Sequence, residues 1–292
     1  MRGVGEARGA ITFVNALFTG VGAAAAVDLP VRAEVDIRAG RASGPLELDV
    51  RSENDTPLVR TSVEAATATF LKGRGGHVKL SISSEVPQGR GLKSSSAVSG
   101  AIIQAIARAG RLKPPLDEVA RLSADVSLRA GVSATGAYDD ALASLSGGFV
   151  VTDNRQRKTL RREAPALSGK VLLWMPPGEH APAPSWLEAF SVRSAEATPA
   201  VHAAIAGRWV EAMEINSGLV ESVMNYDYAP LRGWLRGEGA FACGVSGLGP
   251  TLAILAPGDR IGRIEEALAA REGRLLITEF PRGAGPVAGR GG

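Results

Sequence analysis

Cysteine is almost absent. Cys243 is the only one in 292 residues, which excludes an intramolecular disulfide and any cysteine-built zinc site. Histidine is scarce as well: His77, His180 and His202 lie far apart, with no metal-ligand spacing among them. Aromatic residues make up 5% and are scattered, and no run of five or more like charges occurs. A nucleic-acid binder usually carries a basic stripe interleaved with aromatics, so that function class has no support. Long apolar runs are missing too. The candidate Gly20–Leu29 covers ten residues and is interrupted by Asp28, about half of what a bilayer span requires. The N-terminus lacks the basic stretch and apolar run of a secretion signal. These absences point to a cytoplasmic protein with neither membrane nor nucleic acid as partner.

What is present is ordinary for a folded enzyme. The chain is 45% apolar and 22% charged, enough to bury one large core or two of about 150 residues each. Its 33 basic and 30 acidic residues leave a net charge of +3, which suits a small anionic substrate.

Hydrophobic periodicity gives the organisation. Ala10–Phe18 is apolar. In Ala23–Ile37, Val31, Ala33, Val35 and Ile37 alternate with Arg32, Glu34, Asp36 and Arg38, the period of a half-buried strand. A turn is expected over Gly40–Pro45, strands over Leu46–Val50 and Val78–Ile82, and a helix over Val63–Leu71. After residue 96 the apolar positions Ala97, Val98, Ala101, Ile102, Ala105 and Ile106 recur at helical spacing as far as Gly110. A second helix follows Pro114-Pro115, with Asp117 and Glu118 in its first turn, and a short third helix runs over Asp139–Leu145. The charged stretch Asp153–Glu163 reads as a connector between halves. Beyond it come a strand at Lys170–Met175, a Pro-rich loop at Pro176–Pro184, and a mostly helical Glu196–Met224. Strands at Ala240–Val245 and Thr251–Leu255, a helix at Ile261–Ala270, a strand at Arg274–Phe280 and a frayed tail, Arg282–Gly292, complete the chain. This order of elements implies an α+β fold.

One segment carries a chemical signature. Pro87-Gln88-Gly89-Arg90-Gly91-Leu92-Lys93-Ser94-Ser95-Ser96-Ala97 joins an expected strand to an expected helix. Glycines allow backbone turns that aim N–H groups inward, and the helix start adds unpaired donors and the positive end of its dipole. Three serines supply hydroxyls for phosphate oxygens or magnesium. Lys93, one of six lysines beside 27 arginines, supplies a full positive charge. A run of serines is also a common helix N-cap cluster. The segment is not the P-loop of many NTPases, because the one Gly-Lys pair, Gly169-Lys170, is followed by Val171.

In order and spacing, Pro-x-x-x-Gly-Leu-x-Ser-Ser-x-Ala resembles the ATP-cradling second motif of the GHMP kinases (galactokinase, homoserine, mevalonate and phosphomevalonate kinases), Pro-x-x-x-Gly-Leu-Gly-Ser-Ser-Ala. Lys93 replaces the family's usual glycine and Ser96 its usual alanine. The form Gly-Leu-Lys-Ser-Ser-Ser-Ala resembles the archaeal shikimate kinase branch, which is unrelated in fold to the P-loop shikimate kinases. Three more segments are similar to that branch. Gly9, Ala10, Thr12, Asn15 and Ala16 with Gly20–Ala24 resemble the opening strands, one turn of which faces the substrate. Thr135-Gly136-Ala137-Tyr138-Asp139-Asp140-Ala141, followed by Gly147-Gly148, resembles the segment that carries the catalytic or hydroxyl-orienting aspartate. Gly244–Thr251 resembles the third motif, a glycine turn beside nucleotide and acceptor, although Leu248 stands where a small polar residue is usual.

The resemblance implies the two-domain GHMP fold: a ribosomal-protein-S5-like domain over 1–152 and a ferredoxin-like α/β domain over 153–292. It implies ATP and Mg²⁺ as cofactors and transfer of phosphate to the 3-hydroxyl of shikimate. Pro87–Ala97 would hold the triphosphate, with Ser95 and Asp125 on the metal and Lys93 or a serine at the transition state. Asp139 would address the hydroxyl, with Asp140 as the alternative, and Asn15, Ser246 and Gly247 would line the acceptor. Other readings are a GHMP kinase for homoserine, mevalonate or pantoate, and a non-catalytic nucleotide-binding module. Monomer and homodimer are both compatible with the sequence.

Overall fold

The computed structural model describes residues 1–39, 46–72, 76–164, 169–178 and 186–281. The expected turn at Gly40–Pro45, residues 179–184 of the Pro-rich loop and the tail Arg282–Gly292 lie outside the described residues. In chain order the first half comprises β1 (Arg2–Val14), α1 (Ala16–Thr19), β2 (Val21–Ala39), β3 (Leu46–Asp49), α2 (Pro57–Phe70), β4 (Gly76–Ser84), α3 (Ser94–Ala109), α4 (Leu116–Arg129), α5 (Tyr138–Ser146), β5 (Phe149–Asp153) and β6 (Lys158–Glu163). The second half comprises β7 (Lys170–Met175), α6 (Trp186–Ser191), α7 (Ser194–Ile205), α8 (Trp209–Met224), α9 (Ala229–Gly237), β8 (Ala242–Val245), β9 (Leu252–Ala256), α10 (Ile261–Ala269) and β10 (Arg274–Thr278). The architecture is α+β, as expected.

The first sheet has the order β3-β4-β2-β5-β6, with β1 also paired to β2. Only the β3–β4 pair is parallel. The second sheet, β10-β7-β9-β8, is antiparallel throughout. Long β2 organises the first sheet: its start pairs with β5 and its end with β4, while β1 runs along both parts. The alternation read in the sequence holds, with Val31, Ala33, Val35 and Ile37 buried and Arg32, Glu34 and Arg38 exposed. The exposed face carries the ion pairs Arg32–Glu6, Arg32–Glu34 and Arg2–Asp36. β7, β8 and β9 are buried on both faces except at Lys170, so they read as continuous apolar runs rather than alternating ones.

Helix α3 is buried on nearly every side, and its seat on β1 explains why that strand begins eight residues before the apolar run. A Cβ at Gly3 would stand 2.0 Å from the Ala105 carbonyl oxygen, and one at Gly5 1.9 Å from that of Ala101. Glycine in a strand marks such close backbone approach. The strand ends where the Asn15 side chain caps α1 by accepting from Leu17 N.

The stretch Asp153–Glu163 is not a connector. It is the end of β5, a turn and β6, an edge strand of the first sheet. Charge there is compatible with a strand because edges carry charged side chains that block further pairing. The sheets change over between Glu163 and Lys170. One core is continuous across that change, including Phe13, Phe149, Trp209 and Phe280 with Val171, Leu173 and Ala253. The second sheet's other face packs Leu172, Trp174, Leu235, Ile254 and Ile264 under α9 and α10.

Candidate active site

Helix α3 starts at Ser94 with Lys93 at its N-cap. Before it, the loop turns twice through left-handed backbone, at Gly89 (φ 67°) and Gly91 (φ 74°). At Gly91 glycine is required for a second reason, because a Cβ would meet the Ser246 carbonyl oxygen at 2.1 Å. The loop is tied down by its carbonyls. Leu92 O accepts from Ala10 N at 3.1 Å, and Gly91 O accepts from Ser246 Oγ at 2.7 Å. Its amides are different. Among the described residues, Ala97 N is the first of the helix to find a carbonyl, that of Lys93, and the amides of Gly89–Ser96 have no such partner. A row of uncommitted N–H groups at a helix N-terminus fits a polyphosphate.

The residues that carry these amides line a cleft of about 570 Å³. The cradle loop, the β1–α1 corner, residues 131–137, the first turn of α5, the start of α6 and the 247–249 turn all contribute to it. Of the sequence-derived candidates, Asn15, Pro87, Gly89, Arg90, Gly91, Leu92, Lys93, Ser94, Ser95, Ser96, Asp139 and Gly247 line it, and so does Asp140. Gln88 is exposed beside it and Ala97 is core.

Two candidates take other roles. Ser246 is fully buried; its hydroxyl accepts from Thr12 N and donates to Gly91 O, so it joins β1 to the cradle instead of opening on the cleft. Contact from that hairpin falls to Gly247, Leu248 and Gly249. Asp125 is not brought to the cleft either. Its side chain is 61% exposed and pairs with Arg157 at 3.4 Å, because it falls with Glu118, Arg121 and Leu128 on the exposed stripe of α4. Ser95 keeps its place, and its hydroxyl is a hard oxygen donor of the type magnesium takes. Asn15 lines the cleft while its side-chain amide donates to Gly247 O at 3.0 Å.

Two buried carboxylates of α5 meet the cradle at Lys93. Lys93 Nζ lies 3.2 Å from Asp140 Oδ2, and Asp140 Oδ1 is buried without a hydrogen-bond partner. Asp139 is 4% exposed and receives a hydrogen bond from Asn154 Nδ2 at 2.7 Å. Burial pushes both carboxyl groups above the usual carboxylate range, against the pull of Lys93; Asp140 rises to about 7, with the neighbouring Asp139 adding to its shift. One cation facing two buried carboxylates, next to a row of open amides, suits a reaction that removes a proton beside a polyanion. Lys93 holds a left-handed backbone (φ 66°), which accounts for glycine being the usual residue there.

Sequence reasoning missed Ser127, Trp186 and Leu187 on the cleft walls, and Asn154 behind Asp139. Trp186 opens α6, a helix of six residues too short for periodicity to reveal. Asn154 sits in a charged turn with no distinguishing pattern.

Residues 59–148 match the GHMP kinases N terminal domain. The chain is 33% identical over 281 residues to a shikimate kinase of Methanocella arvoryzae, covering 96% of this chain and 94% of that one. It is 36% identical to a shikimate kinase of Pyrococcus furiosus, covering 95% and 99%. Among solved structures it is similar to the mevalonate kinase of Methanococcus jannaschii, with a TM-score of 0.74 at 14% identity over 97% and 99% of the two chains.

Proposed function

We propose that this chain, which belongs to the GHMP kinase family, transfers the γ-phosphoryl group of ATP to the 3-hydroxyl of shikimate. Full-length similarity to two shikimate kinases supports the acceptor. The observation that carries the reading is the pairing of uncommitted loop amides with the buried Lys93–Asp140–Asp139 group across one cleft.

In this reading the amides of Gly89–Ser96 and the α3 dipole hold the triphosphate. Asp139 accepts the proton as the acceptor O–H bond breaks. The acceptor oxygen bonds to the γ-phosphorus, and the bond to the bridging oxygen breaks to release ADP. Lys93 neutralises charge that develops on the transferring group. Asp140 stays paired with Lys93 and fixes where the ammonium points. Mg²⁺ would supply further charge neutralisation on the phosphates, and Ser95 is the residue of the earlier pair suited to it. The domain division belongs to this proposal too, and the change of sheets between Glu163 and Lys170 supports a boundary there in preference to 152/153.

The test is ADP release with shikimate, homoserine, mevalonate and pantoate offered in parallel. Turnover with shikimate alone is expected. Turnover confined to another acceptor would keep the chemistry and replace the substrate, and no turnover with any would overturn the reading.

A further inference from the structure

The two adjacent carboxylates of α5 are held in different ways. Asp140 meets a cation, Lys93. Asp139 meets a neutral amide, that of Asn154, which stands in the turn between β5 and β6 and is 1% exposed. The orientation of that amide is determined by its surroundings. Asn154 Oδ1 lies 3.2 Å from the backbone N of Asp139, which can only donate, and 2.6 Å from Thr152 Oγ1. The oxygen is therefore fixed on that side, and the NH₂ group must face the carboxylate, 2.7 Å from Asp139 Oδ1. The second carboxylate oxygen is confined as well: a Cβ at Gly22 on β2 would stand 2.2 Å from Asp139 Oδ2. The turn is anchored in its own right. Arg157 donates to the carbonyls of Asn154 and of Thr135, the latter at 3.0 Å, which fastens the turn to the 131–137 wall of the cleft.

We propose that Asn154 is a positioning residue for phosphoryl transfer: it grips one oxygen of the Asp139 carboxylate and so aims the other at the acceptor hydroxyl. The inference rests on the kinase reading above. A base misplaced by about 1 Å can cost on the order of 10²-fold in rate, so a fixed amide in a buried turn is a direct means of control. The same amide favours the charged form of Asp139, because it can donate to the carboxylate but cannot accept from the acid. The charged groups that act on Asp139 are Lys93 from the N-cap of α3 and Asp140 beside it on α5, while Arg157 of the β5–β6 turn is held on the Asn154 and Thr135 carbonyls. Residues 16–27 of α1 and β2 contribute no charged side chain.

The test uses Asn154→Ala and Asn154→Asp in the full chain, with two readouts. In steady-state turnover, Asn154→Ala is expected to lower kcat by about 10- to 100-fold, leave the acceptor KM close to its original value, and move the acidic limb of the kcat profile to higher pH. In the protein labelled with ¹³C at aspartate carboxyls, with the Asp139 signal assigned by its loss in Asp139→Asn, the titration midpoint of Asp139 is expected to rise. Asn154→Asp, which brings an acid into the same volume, should raise it further. This second readout needs no acceptor, so it decides the matter even if the substrate assignment fails. A midpoint that stays put in both variants, with turnover falling only in step with the folded fraction by circular dichroism, would overturn the proposal and leave Asn154 a packing residue.

Discussion

Among the described residues, two charge clusters with buried members are built on opposite plans. Under the second sheet, Arg232 lies 2.7 Å from Glu214 and 2.6 Å from Glu221, and Arg236 adds a second contact to Glu214. The carboxylates also accept from Ser217 Oγ and from Cys243 N. Two cations face two anions, with hydrogen bonds on both carboxylates. In the cleft, one cation faces two carboxylates and a buried oxygen has no partner. Burying charge is costly unless it is paired and hydrogen-bonded. The first cluster balances its charges within the protein, although Arg232 Nε, 2.6 Å from Glu221, makes no hydrogen bond, and it serves as scaffold. The second leaves its charges unbalanced, and in the proposed reading a ligand and a travelling proton make up the imbalance.

Substitutions can break or sharpen this contrast. The largest effect is expected for Asp139→Asn, which should lower kcat by about 10²–10⁴-fold in an ADP-release assay while the fold persists. Arg232→Ala should do the reverse. It strands buried Glu221 and leaves Glu214 paired only with Arg236, and should cost about 3–5 kcal/mol of stability in urea unfolding, with turnover per folded molecule largely kept. Lys93→Ala removes the cation that faces the two aspartates and should reduce kcat by about 10²-fold or more. Lys93→Gly should be equally slow yet more stable than Lys93→Ala by about 1 kcal/mol, since only glycine adopts the left-handed backbone without strain.

The smallest effect is one of pH. An unfolded aspartate ionises near about 3.9, whereas Asp140 in the fold is pushed up to about 7, chiefly by burial. Between these values the folded chain holds a proton that the unfolded chain has lost. The stability it confers is complete below about pH 4, declines as pH rises and is gone above about 7. Melting temperatures of Asp140→Asn across pH 4–7 should therefore trace a flatter curve than those of the original chain.

Much of this was legible in the sequence, for identifiable reasons. The cradle and α3 follow from glycine, serine and a 3.6-residue period within one short segment, where local rules suffice. The half-buried end of β2 follows from strict alternation. What escaped depends on partners distant in sequence. Gly3 and Gly5 look like strand breakers until α3 is laid on them. The charges of β6 look like a linker until the sheet edge is seen. Ser246 looks like a ligand contact until Thr12 and Gly91 are found on either side of it. Asp125 stands on the helix that leads to the aspartate segment, and only its exposed position and its pairing with Arg157 show that it is not in the cleft.

The grip of Ser246 on Gly91 and Thr12 joins chain positions more than 150 and 230 residues apart, and Gly247 N donates in turn to Thr12 Oγ1. During synthesis the glycine-rich segment leaves the ribosome long before the hairpin that braces it. Catalytic competence should therefore arrive late and all at once, when the final strands dock, and a fragment cut off ahead of residue 246 would carry Ser94, Ser95 and Ser96 without the brace that shapes their loop.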